Sequence, residues 1–145
     1  MKEPIIDQNL LAYILSLLSI PENTAADIKH PVSEPSGMVS VSDWKMQTAQ
    51  GMIRFMDEMP GGFLIYHADK DEEIIYANKA LLRICQCETL EEFRNLTGNS
   101  FQGFVHPQDL DAVEQSIREQ VAQSQYNLDY VEYRVRRKDG EILWV

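Results

Sequence analysis

The stretch Phe101-Gln102-Gly103-Phe104-Val105-His106-Pro107-Gln108-Asp109-Leu110 sets an apolar cluster directly before a helix start. Phe101, Phe104 and Val105 supply the cluster. Pro107 suits the first helical position, where its missing N–H is no loss, and Asp109 then lies near the positive end of the helix dipole. His106, just ahead of the proline, reads as a helix cap. Leu110, Val113, Ile117 and Val121 recur at helical spacing and predict a helix to about Gln123.

The flanking segments alternate between short helices and short strands. Upstream, Gly98-Asn99-Ser100 is a turn, and Thr89-x-x-Glu92 has the spacing of a capping box, with Leu90, Phe93 and Leu96 on one face. Asn78 stands where the N-cap of a short helix, Lys79 to Cys85, belongs. Two strands precede it, Phe63 to His67 and Ile74 to Ala77, joined by the acidic turn Asp69 to Glu73. Downstream, Tyr126 to Arg137 reads as one long strand whose alternation slips near Tyr130, as at a bulge. Lys138-Asp139-Gly140-Glu141 makes a hairpin turn, and Ile142 to Val145 opens another strand. The order is strand, strand, three helical segments, strand, strand. That is α+β with an antiparallel sheet, not the alternation that builds a parallel one.

The N-terminal part has a different texture. Leu10 to Ile20 is uncharged and strongly apolar, which predicts a buried helix about half the length of a membrane span. Pro21, Pro31, Pro35 and several serines mark 21–41 as a linker. A second helix is expected over 42–60, capped by Ser42 and Asp43 and stopped by Pro60-Gly61-Gly62. The domain boundaries are therefore 1–20, 21–41, 42–60 and 61–145.

Of the 145 residues 44% are hydrophobic, enough for a core, and the formal net charge is −10. An acidic chain lacks the basic stripe that displaces counterions from nucleic acid, and it gains nothing from anionic lipid. Cys85 and Cys87 are too close for an unstrained bridge and read as reduced thiols. Cys-x-Cys without a second ligand pair makes no metal site.

Three motifs in this order resemble a PAS sensor domain over residues 61–145. They are Tyr76-Ala77-Asn78, the stretch from Phe101 to Leu110, and Lys138-Asp139-Gly140-Glu141 followed by Trp144-Val145. The resemblance implies a five-stranded antiparallel sheet with short helices on one face, enclosing a small pocket. It also implies that the helix 42–60 is an N-terminal cap helix. The fifth strand of such a sheet lies beside the first, and its absence before Val145 predicts an unpaired edge and a C-terminally incomplete domain. The expected protein is a bacterial, cytoplasmic signalling protein whose output domain, a diguanylate cyclase or a histidine kinase, lies outside these residues. The alternative is a ligand-free domain that serves dimerisation and signal relay.

Candidate pocket residues are Ile65, His67, Tyr76, Phe101, Phe104, Tyr130, Tyr133 and Trp144, since ligand pockets have largely apolar, aromatic walls. Asn78, His106 and Asp109 are structural caps. Leu11, Ile14, Leu18, Met52, Phe55 and Met56 are candidates for a homodimer interface. No catalytic motif and no metal-ligand pattern is visible. The ligand expected is a small apolar or aromatic molecule of unknown identity. Haem is disfavoured because His67 and His106 have bland roles as a strand-end residue and a cap. Covalent flavin is disfavoured because Asn99-Ser100-Phe101-Gln102 lacks the cysteine and arginine of the photosensor motif it stands near. Nucleic acid and a membrane span are excluded as partners.

Overall fold

The computed structural model describes residues 8–17, 41–69, 71–126 and 129–145. The chain divides into two units, 1–57 and 58–145. The first holds helix α1, Gln8–Leu17, and helix α2, which runs Val41–Glu58. The expected linker residues 21–40, together with Leu18, lie outside the described residues.

Both helices bury one stripe. On α1 the buried side chains are Leu10, Leu11 and Ile14, spaced as one helical face requires. On α2 they are Ala49, Ile53 and Met56. A second stripe of α2, Trp44, Met52 and Phe55, is exposed, with Phe55 at 68%. Of the candidate interface residues, Leu11, Ile14 and Met56 are buried, whereas Met52 and Phe55 are exposed. Helix α2 begins at Val41, one residue before the expected start.

The second unit contains strands β1, Leu64–Tyr66, and β2, Ile74–Ala77, then helices α3, Lys79–Ile84, α4, Leu90–Thr97, α5, Phe101–Phe104, and α6, Leu110–Gln123. Strands β3, Arg134–Arg136, and β4, Ile142–Trp144, follow. It is an α+β unit with short antiparallel strands. Among the described residues the strands form two two-stranded sheets, with β1 paired to β2 and β3 to β4. Single bridges, Glu73 with Ser100 and Val105 with Val135, link the helical segments to the strands.

Of the long strand expected from Tyr126 to Arg137, residues 127–128 lie outside the described residues, and the strand runs only Arg134–Arg136. The Tyr130 N–H donates to Oε1 of Gln120 on α6 at 2.8 Å, and the Tyr130 carbonyl accepts from Nε2 of the same residue at 2.9 Å. A side-chain amide has taken the place of a neighbouring strand. Ladder pairing begins only at Tyr133, which exchanges two backbone hydrogen bonds with Val145.

The caps divide in two. Asn78 is fully buried at the N-cap of α3. Its Oδ1 accepts from the Leu81 and Phe63 N–H groups, at 3.0 and 2.9 Å, and its Nδ2 donates to the Gly61 carbonyl at 2.9 Å. One amide thus caps a helix and fixes the start of β1. Thr89 caps α4 through the Glu92 N–H, while Glu92 reaches back one residue further than a capping box requires, to the Glu88 N–H. The helix after Pro107 starts later than expected. His106 Nδ1 accepts from the Gln108 N–H and so closes a turn, and Pro107 lies in that turn, not at the first position of α6. Asp109 occupies the N-cap position but makes no side-chain cap bond. Its Oδ2 accepts from the Arg134 backbone N–H and from Nε, and its Oδ1 from Nη2. A bidentate guanidinium outcompetes a neutral peptide N–H for a carboxylate.

The core of this unit gathers Ile74, Leu81, Cys85, Phe93, Phe101, Phe104, Val113 and Val135. Arg94 on α4 joins it to the β2 backbone by donating to the carbonyls of Ile74 and Ile75. Gly103 lets α5 pass against the end of α4. A Cβ at that position would stand 1.8 Å from the Thr97 carbonyl oxygen.

Candidate functional site

A cavity of about 320 Å³ opens beside this core. Leu64 and Tyr66 of β1, Phe101 of α5 and Ile117 of α6 form its wall, and Asp129, Tyr130, Val131 and Tyr133 close it from the segment before β3. Each element supplies the residues its period allows. Leu64 and Tyr66 are two apart on a strand and share a face, as do Asp129, Val131 and Tyr133 in an extended segment. Ile117 is one turn beyond the buried Val113 on α6.

The rings support one another. Tyr66 stacks on Phe101, with centroids 4.5 Å apart and planes within 5°. Tyr133 meets Phe101 edge-on at 6.0 Å and Phe104 at 6.3 Å, and Phe104 packs in turn on Phe93. Aromatic pairs prefer these offset and perpendicular arrangements over a face-to-face sandwich, so the wall is held in shape by its own quadrupoles.

Electrostatics at the cavity are one-sided. Among the described residues of the lining, Asp129 carries the one formal charge. Burial, then the Glu72 and Asp129 carboxylates, hold the Tyr66 phenol above its ordinary range. Burial, then Tyr66 and Asp129, push Tyr133 up to about 12. Both phenols are neutral at pH 7. Among the described residues neither hydroxyl has a hydrogen-bond partner, so both retain their capacity to donate and accept.

Of the expected pocket residues, Phe101, Tyr130 and Tyr133 are brought together in the lining. The other five lie elsewhere. Ile65 is half-buried in the opposite phase of β1 from Leu64 and Tyr66, and His67 is exposed, its N–H donating to the Glu73 carbonyl. Tyr76 is buried within β2, and Phe104 sits one layer behind the cavity against Phe93. Trp144 is 69% exposed because it pairs across the hairpin with Arg134, whose guanidinium lies 5.8 Å from its ring centroid. The inner face of that hairpin belongs to Val135 and Leu143.

Sequence reading missed Leu64, Tyr66, Ile117, Asp129 and Val131. For β1 the miss has a physical cause. Phe63 to Tyr66 is apolar or aromatic at every position, so alternation carries no signal about which phase faces inward. The helical period of α6 did contain Ile117. The two thiols are buried apart from the cavity lining, and burial, then Cys87, raises Cys85 to about 11. A thiol so protonated is a packing group rather than a nucleophile.

Comparison with known proteins bears on the same residues. The family described as PAS fold matches residues 74–145, just under half of the chain. No curated protein matches it. Among solved structures, the chain is similar to an RNA-binding Light-Oxygen-Voltage receptor at 19% identity and a TM-score of 0.44, over 79% of this chain and 30% of that one. The chain therefore spans under a third of that receptor. Residues 74–145, with the β2-to-β4 order of strands and short helices described above, match the PAS fold.

Proposed function

We propose that the chain is a sensory and signal-relay module, without catalysis of its own, that binds a small molecule in the cavity and regulates an attached output domain. PAS domains are in general sensory modules, which supplies the class. The observation that carries ligand binding is the cavity itself. Its roughly 320 Å³ falls in the range of small-molecule sites, and four aromatic rings wall it. A bound molecule would touch β1, α5, α6 and the 129–133 segment together, so its arrival would bias how they pack. The output domain is a diguanylate cyclase or histidine kinase of a bacterial, cytoplasmic protein, as the family resemblance implies. The net charge of −10 speaks against nucleic acid as partner, and no helix among the described residues is long and apolar enough to cross a membrane. Neither cysteine lines the cavity, which speaks against a covalent flavin.

Native mass spectrometry of the purified protein tests this reading. A retained small molecule is expected in the wild type and its loss in Ile117→Trp, with the circular dichroism of both alike. A wild type that retains nothing, and whose Leu64, Ile117 and Val131 methyl resonances respond to no added compound, would overturn it.

One observation favours a second role. Trp44, Met52 and Phe55 form an exposed apolar stripe on α2, beside the one it buries. A homodimer joined through that stripe would transmit as well as sense. Light scattering should then find a dimer, and Phe55→Lys should make it a monomer.

A further inference from the structure

We infer that the cavity selects a small organic ammonium ion over a neutral or anionic molecule of the same shape. This rests on the cavity being the ligand site proposed above. Among the described residues the lining has a single formal charge, the exposed carboxylate of Asp129, and no Lys, Arg or His. Tyr66, Phe101, Tyr130 and Tyr133 add aromatic rings, whose faces attract cations and repel anions. The Tyr66 and Tyr133 hydroxyl oxygens have no partner among the described residues, so their lone pairs are open to an N–H donor.

Two phenols could instead donate to a ligand carboxylate. The surrounding charge decides between these uses. Glu72 and Asp129 oppose a negative charge on the Tyr66 oxygen, and Asp129 opposes one on Tyr133, beyond what burial does alone. A ligand carboxylate at the same place would meet the same repulsion. An ammonium there is favoured by it, and the apolar Leu64, Ile117 and Val131 take up its hydrocarbon body.

Three probes that share a phenylethyl or benzyl body test the charge alone: phenethylamine, phenethyl alcohol and phenylacetate, titrated into the whole chain at pH 7 and low salt by calorimetry and methyl NMR. The ammonium should bind about fivefold or more tightly than the alcohol, and phenylacetate weakest. Asp129→Asn, an exposed substitution, should narrow the ammonium-to-alcohol ratio to under about twofold. Equal binding of all three, or tightest binding of phenylacetate, would overturn the inference and leave the cavity standing as a ligand site. Binding of none, with Ile117→Trp behaving as the wild type, would overturn both.

Discussion

The side-chain amide of Gln120 pairs with the Tyr130 peptide in both directions, accepting its N–H at 2.8 Å and donating to its carbonyl at 2.9 Å. Nε2 also donates to Ser116 Oγ, one turn earlier on α6, which fixes the amide's orientation. A helix side chain thus holds the segment that brings Asp129, Val131 and Tyr133 to the cavity. Gln120 is a positioning residue for the site.

Gln120→Ala should release that segment while leaving the core intact. Two hydrogen bonds of ordinary net strength amount to about 1–2 kcal/mol, so the Tyr130 amide should exchange with solvent about tenfold faster. Hydrogen exchange on the peptide covering 126–133 reads this directly, against unchanged protection in α4. Equal exchange in variant and wild type would mean that something other than Gln120 holds the segment.

Asn78→Ala removes a buried amide that bonds Phe63, Leu81 and Gly61 at once. Loss of the N-cap and desolvation of the freed groups should cost about 2–3 kcal/mol. Urea unfolding monitored by circular dichroism should show the lower midpoint with an unchanged slope.

The sharpest steric prediction concerns Gly103. A Cβ there would lie 1.8 Å from the Thr97 oxygen and 2.7 Å from its carbonyl carbon, both backbone atoms that cannot swing away. Gly103→Ala should therefore destabilise by about 3 kcal/mol or more. Gly51, exposed in α2 with no atom of the described residues within 4 Å of where a Cβ would stand, gives the contrast. Gly51→Ala should stabilise by up to about 1 kcal/mol, and paired thermal melts compare the two.

Asp109 gives the acid limb of stability. The Arg134 hydrogen bonds hold its carboxyl at about 2, against an ordinary 3.8. With the folded value depressed, the stabilisation is whole above about pH 4 and is lost as the pH falls through about 2. Melting temperatures of the wild type and Asp109→Asn should differ at pH 6 and converge near pH 2. A constant gap across that range would remove the ion pair as its cause.

Local signals in this chain were legible where the chemistry is local. Asn78 before an apolar helix, Thr89 three residues from Glu92, and Gly140 in a hairpin turn each act on groups within a few residues, and each occupies its expected place. The Asp109 cap was also a local reading, and it failed because Arg134, distant in sequence, offered a better partner. The long strand failed for the same reason, through Gln120.

The motif order from Tyr76 to Trp144 was sufficient to identify an α+β domain of the PAS fold, because capping, turn chemistry and apolar period all operate at short range. Which aromatics face the cavity was decided only by the tertiary structure. Tyr66 is inward and Trp144 outward through strand phase and cross-strand register, and an all-apolar β1 leaves phase unspecified until Phe101 stacks on one side of it. The charge of the site depends on the same fact, since Asp129 lines the cavity beside a backbone that an amide on α6 holds.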